Sequence, residues 1–349
     1  MPNLQAEEIE KIAFHLLCAA GAPEEHSQIV AQHLMDNNLA GHDSHGIIRI
    51  IQYLRQIKEG VIIPQAKPEI IFEAASTAQV DGHYGFGQVA AKFSTELAIK
   101  KAKEQGVSCV SVRNLGHIGR LGAYTEMAAE AGCAAILFCG TGGQVPYQAP
   151  FGGTQRKLGT NPIAIAFPGM TEEIFSSDFA TSVCAEGKLR VYLARGSKVP
   201  EGWILDKDGR PSINPKDFYD GGTILPLGGS VGHKGYCLAF MTDLLASVLS
   251  GNGFPGKPNR QFSNGSLIIV IDIEKFVPLT TAMKEASLMA NFIKDTPLAE
   301  GFTQVYYPGE KETISRRRRR QEGIEIEEET WRQIKNLIQE YKVTEKLNM

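Results

Sequence analysis

His45, Arg49 and Tyr53 follow one another at intervals of four residues in the stretch 44–53. On an α-helix that spacing lines an imidazole, a guanidinium and a phenol along one face. A guanidinium grips a carboxylate by two parallel hydrogen bonds, and an imidazole transfers a proton near neutral pH. The three together suit a small acid that is bound and protonated. Ile47, Ile48, Ile50, Ile51, Leu54 and Ile57 supply the apolar contacts of such a helix, Ser44 stands at its N-cap and Gly60 ends it. His45 then falls in the first turn, where the helix dipole opposes an imidazolium and favours an anion. The same residues also describe a capped surface helix with a solvated arginine, so the rest of the chain must decide.

His117 lies among glycines in 114–122, after a predicted strand and before a predicted helix, where α/β proteins put reactive side chains. Asp178 ends another predicted strand; it can orient a histidine or hold a ribose, and an ordinary turn aspartate is the plain alternative. Thr160, in 158–162, offers a hydroxyl at a turn into a strand. The glycine-rich run 228–235 leads straight into a helix, so backbone N–H groups and Lys234 can cradle a pyrophosphate. Two matches to better-known phosphate loops fail. The run 85–90 fits G-x-G-x-x-A, but the next strand ends in Arg113-Asn114 where an acid should take the ribose. The run 251–257 resembles a P-loop, but Pro258 stands where Ser or Thr must ligate magnesium. His42, Asp43 and His45 are crowded on a turn without further ligands, so no metal is expected.

These residues sit in a chain of 349 residues, long enough for a substantial core divided between two domains. A net charge of -3 gives no general attraction to nucleic acid or membrane, so the expected partner is a small molecule. No apolar run is long enough to span a bilayer and no signal-peptide core opens the chain, which points to the cytoplasm. Cys18, Cys109, Cys133, Cys139, Cys184 and Cys237 are scattered with no CxxC pair and read as free thiols.

Three helices are expected over 4–20, 23–40 and 44–60. Beyond residue 70, short β-rich runs alternate with helices, the pattern of an α/β core. Strands are expected at 78–81, 107–113, 134–139, 163–167, 174–177, 267–272 and 304–307, and helices at 89–105, 121–131, 235–250 and 282–294. The Gly/Pro-rich stretch 187–222 reads as a long loop excursion. Five arginines at 316–320 are followed by Glu322, Glu325, Glu327, Glu328 and Glu329, which cancel most of the local field; the expectation is a solvated, mixed-charge helix.

Taken in order, Ser44-His45-Gly46 with Arg49, then 114–122, 158–162, 178–182, 228–235 and Pro308-Gly309-Glu310 resemble the malate/L-lactate dehydrogenase family of the type without a Rossmann fold. That family also includes ureidoglycolate and sulfolactate dehydrogenases, diketogulonate reductase and a cyclic imine reductase. The resemblance spans nearly the whole chain. It implies an α/β protein with a non-Rossmann, mixed-sheet NAD(P)-binding core at 73–310 and a helical domain at 1–72 joined by 311–349. It further implies a homodimer that transfers hydride between NAD or NADP and a small 2-oxo or 2-hydroxy acid. His45, or in some members His117, is implied as proton donor or acceptor. Asp178, Phe179, Ala180, His233, Lys234, Gly309 and Glu310 are implied at the cofactor, and 316–320 lies outside the site. On the residues themselves, Arg49 is expected to clamp the carboxylate, Ser44, Tyr53 and Thr160 to complete the pocket, and Asp178 to fix the tautomer of a catalytic imidazole. The chain departs from the family in two places: Leu115-Gly116 precedes the second histidine, and Gly140-Thr141-Gly142 stands where others offer Asn or Ser to the cofactor, leaving Thr141 as the candidate. A cyclic imine or diketo sugar acid as substrate, and a non-catalytic nucleotide-binding regulator, remain alternative readings.

Overall fold

The computed structural model describes residues 1–142, 146–171, 173–257 and 261–347; Pro258, which breaks the P-loop match, lies outside them. The chain begins with helices Ala6–Ala19 and Glu24–Leu39, and a capping box of Gln5 and Glu8 closes the first N-terminus. With helix Arg49–Lys58 and the C-terminal helix Glu328–Glu340 they bury one apolar cluster, in which Ile9, Leu16, Leu34 and Ile50 meet Ile334 and Ile338. The two chain ends are tied by antiparallel pairing of Asn3–Leu4 with Ile324–Glu325.

A second cluster fills a seven-stranded mixed sheet in the order Glu69–Glu73, Thr77–Asp81, Val107–Leu115, Ser263–Asp272, Cys133–Gly142, Ile163–Pro168 and Ile174–Phe179. Only Thr77–Asp81 and Val107–Leu115 run parallel, joined by helix Gly87–Gln105; the other pairs are antiparallel. This is not a doubly wound dinucleotide sheet. The G-x-G-x-x-A segment shows why in detail: a Cβ on Gly87 would stand 2.4 Å from the Gly116 carbonyl oxygen. That turn is filled by backbone and has no room for a phosphate.

Three expectations are corrected. The stretch 187–222 is no loose excursion: helices Glu186–Ala194 and Pro215–Tyr219 and a small three-stranded sheet enclose a core of Cys184, Leu189, Val199, Ile204, Phe218 and Ile224. Its apolar residues come one or two at a time between turns, too sparse for a periodic signal. No strand forms at 304–307; beside it the carbonyl of Pro308 accepts from the Ser176 N–H at 3.1 Å before Gly309 caps helix Glu310–Glu322. The helix expected at 235–250 starts at His233 and passes at Asp243 into a π-helix that ends at Val248.

The arginine run is not simply solvated either. Arg316 forks onto Asp36 at 3.0 Å and reaches Glu126 at 2.9 Å, while Arg319 pairs with Asp43. Buried Arg120 completes this network with a two-point contact on Glu126 at 2.7 and 2.8 Å. Burial opposes the charge on Arg120, but Glu126 and Asp36 outweigh it and hold the pKa above its ordinary value. The network locks the 116–122 loop between the helical unit and the sheet, and removing one partner of such a buried pair costs about 3–5 kcal/mol.

Candidate active site

The loop that carries His117 follows the C-terminal end of strand Val107–Leu115 and packs against His33. Gly119 takes φ +76, and a Cβ there would lie 2.0 Å from the His33 Nε2, so neither its backbone nor its space admits a side chain. His33 Nε2 accepts the Arg120 backbone N–H at 3.2 Å, which requires that nitrogen to be unprotonated. Burial first, and then Arg120, push the His33 pKa down from 6.5 to about 3. A depressed histidine stabilises the fold above its unfolded pKa and loses that contribution as pH falls from 6.5 towards about 3, by up to ~1.4 kcal/mol per pH unit. His33→Gln should therefore lessen the fall in thermal stability between about pH 6.5 and 5; an unchanged pH dependence in melting scans would show that His33 is not titrating as described.

His45 and Arg49 reach the site by a route different from the one expected. Asp43–His45 form a 3-10 turn, and the helix starts only at Arg49, with Ile48 rather than Ser44 at its N-cap. The cause is Asn38 on the preceding helix. Its Oδ1 takes the Ile47 N–H, the amide that a capping Ser44 would accept, and its Nδ2 donates to Asp43, both at 2.7 Å. Asn37 holds the His45 carbonyl at 3.0 Å. Ser44 Oγ lies 3.1 Å from His45 Nδ1, and Arg49 Nε donates to the Ser44 carbonyl at 2.7 Å.

The outcome is a compact cluster. The His45 and His117 rings stack at 5.6 Å between centroids with 18° between planes. Tyr53, fully buried, places its hydroxyl 2.8 Å from His117 Nδ1 and accepts from Gln88 Nε2 at 2.7 Å. Burial pushes the Tyr53 phenol up to about 12, so it stays protonated. Burial, followed by the positive charge of Arg49, holds both imidazoles well below 6.5 and thus neutral at pH 7. Arg49 is half-buried, its Nη1 donates to Gln52 at 2.6 Å, and no carboxylate forms an ion pair with it among the described residues. Loss of hydration lowers its own pKa, yet it stays cationic.

Across from this cluster, Gly187 comes so close that its Cβ would lie 3.7 Å from that of Ser44, and Tyr147, Glu186 and Arg190 act electrostatically on Arg49. Sequence reasoning missed Tyr147 and Glu186, which lie too far along the chain to leave a local signal. Arg190 is forked onto Glu186 at 3.0 and 3.1 Å.

Asp178 stands apart from the imidazoles. Its Oδ2 accepts the Gly122 N–H at 2.8 Å, at the start of helix Gly122–Glu130, and among the described residues no imidazole hydrogen-bonds to it. Tyr53, not Asp178, holds the His117 ring. Burial raises the Asp178 pKa, opposed by the Gly122 N–H. The Thr160 carbonyl accepts from Thr181 at 2.9 and 3.0 Å, joining 158–162 to the segment that follows Asp178, Phe179 and Ala180. Thr141 Oγ1 donates to Asn161 at 3.1 Å, and Asn161 in turn donates to the Ala239 carbonyl at 2.9 Å, tying in helix His233–Thr242. His233 and Lys234 are exposed in the first turn of that helix, and Lys234 makes no ion pair among the described residues. A glycine-rich helix entry and an ammonium without an ion pair among the described residues fit the pyrophosphate of a dinucleotide. Glu310, after Gly309, is engaged by Lys294 and by the Tyr307 N–H at 3.2 Å. His42 and Asp43 are taken by Glu312 and Arg319.

The chain is thus an α/β protein of non-Rossmann design, with two stacked imidazoles beside a guanidinium that has no carboxylate partner among the described residues. Residues 4–335 match the model of the malate/L-lactate dehydrogenase family, and the chain belongs to that family. It is 39% identical over 319 residues to a malate dehydrogenase of Pyrococcus horikoshii, covering 89% of this chain and 88% of that one. It is 38% identical over 342 residues to an L-sulfolactate dehydrogenase of Methanocaldococcus jannaschii, covering 97% and 96%. The crystal structure of a malate dehydrogenase from Entamoeba histolytica superposes with a TM-score of 0.92 at 33% identity, covering 98% of each chain. The protein is thus a dehydrogenase of the 2-hydroxyacid type, a class that implies a nicotinamide cofactor.

Proposed function

We propose that this chain interconverts a small 2-oxo acid of the malate, lactate or sulfolactate type and its 2-hydroxy acid, with NAD or NADP. The observation that carries this reading is Arg49, a half-buried guanidinium without a carboxylate partner among the described residues, beside two neutral imidazoles. Bound nicotinamide supplies or accepts the hydride. Arg49 grips the substrate carboxylate, and Ser44 and Thr160 border the pocket. His117 moves the proton between its Nε2 and the substrate oxygen. It is preferred over His45 because its orienting partner is buried and rigid, whereas His45 has only an exposed serine hydroxyl. Because the proton moves at Nε2, Nδ1 keeps its own proton in both states of the ring; it donates to the Tyr53 oxygen, which donates in turn to the Gln88 amide once that amide is turned so that its oxygen faces the phenol. Thr141, Asp178 to Ala180, His233, Lys234, Gly309 and Glu310 are the residues proposed to hold the cofactor, Lys234 at the pyrophosphate.

Steady-state oxidation of NADH and NADPH with oxaloacetate, sulfopyruvate and pyruvate tests the reading. Turnover with at least one pair is expected; cofactor binding without turnover on any acid would support a nucleotide-binding regulator instead. No helix among the described residues is long and apolar enough to cross a membrane. We also infer a homodimer. Phe240, Met241 and Val248 on 233–248, and Met289 and Phe292 on Leu279–Lys294, leave apolar side chains exposed, Phe292 by 81%. A second copy would cover them. Sedimentation should give two chains per particle, and a monomer at micromolar concentration would contradict this.

A further inference from the structure

The arginine run divides into committed and uncommitted side chains. Arg316 and Arg319 are spent on Asp36, Glu126 and Asp43, and Arg318 pairs weakly with Glu322 at 3.9 Å. Arg317 and Arg320 make no ion pair among the described residues. They lie three positions apart, on one side of helix Glu310–Glu322. Both line a cavity of about 450 Å³, with Arg316 and Lys92, the latter paired with Glu96, also on its walls. Asp36 and Glu126 in that wall are already neutralised by Arg316 and Arg120, leaving Glu130 as the lining carboxylate without an ion pair among the described residues. Positive charge is in excess. Gln88 also lines the cavity.

The cavity adjoins the proposed cofactor residues. Gly309 and Ser176 line it, and Ile174, Ser176 and Asp178 project from one face of the same strand. From Ile174 to Asp178 the strand covers about 13 Å at ~3.3 Å per residue, a length that a dinucleotide bridges. A ligand with one end at Asp178 to Ala180 therefore has its other end within reach of Arg317 and Arg320. We propose that this cavity takes the 2′-phosphate of NADP(H), with Arg317 and Arg320 as its ligands, so that the enzyme prefers NADPH to NADH. The proposal rests on the dehydrogenase reading above and adds the choice of nucleotide. Two guanidiniums suit a phosphate dianion, which NADH lacks at that position.

Two measurements on the full-length protein test it. Adenosine 2′,5′-bisphosphate should raise the melting temperature of the wild type more than AMP does, and R317A/R320A should abolish that difference. In kinetics, the same double variant should raise the ratio of KM for NADPH to KM for NADH by at least about tenfold. Equal stabilisation by the two nucleotides, or a KM ratio that does not move, overturns the proposal while leaving the dehydrogenase reading intact. Absence of turnover with either nucleotide would instead remove that reading, and the melting comparison would still report on the cavity.

Discussion

His117→Ala is expected to lower kcat for reduction of the 2-oxo acid by roughly two to four orders of magnitude, with a much smaller change in KM. His117 is the imidazole held by the Tyr53–Gln88 chain, so its loss removes the proton carrier and leaves the carboxylate clamp in place. His45→Ala removes the stacked partner ring and should cost less. The pH dependence gives an independent sign. In oxidation of the hydroxy acid His117 must start neutral, and burial together with Arg49 keeps its pKa well below 6.5. The wild-type kcat/KM for oxidation should therefore stay flat as pH falls through 6.5 and drop only in more acidic solution. Near-normal kcat in His117→Ala would return the proton-transfer role to His45.

Replacing Arg49 should act mainly on substrate affinity. Arg49→Leu removes a charge-assisted contact worth about 2–5 kcal/mol, a KM increase of roughly 30-fold or more. Arg49→Lys keeps the charge but loses the fork and should fall between the two. A second consequence follows from electrostatics. A cation beside an imidazole disfavours protonation, so without it the pKa of His117 rises, and the acidic limb of the oxidation profile should move upward in pH in Arg49→Leu. An Arg49→Leu enzyme with wild-type KM and an unshifted profile would show that this guanidinium serves neither role.

Much of this arrangement was legible in the sequence because it is local. The apolar spacing around Arg49, the glycines around His117 and the glycine entry to helix His233–Thr242 are each short-range signals. The errors arose where distant side chains decide. Asn38 takes the Ile47 amide that a capping Ser44 would accept, an interaction invisible to periodicity. Tyr53 turned out to hold His117, a pairing across 64 residues, whereas Asp178 is bound to Gly122. The arginine run looked self-cancelling beside its neighbouring acids, yet two of its members pair with Asp36, Asp43 and Glu126, far upstream. Tyr147 and Glu186 approach Arg49 from a small unit whose scattered apolar residues gave no pattern.

The central claim is that Arg49 reads a carboxylate next to the reacting carbonyl. Its most direct test compares kcat/KM for the preferred 2-oxo acid with that for its neutral amide, in wild type and in Arg49→Leu. A wild-type preference for the acid of at least about 100-fold, falling to less than about tenfold in the variant, is the predicted result. Equal use of acid and amide by the wild type would contradict it.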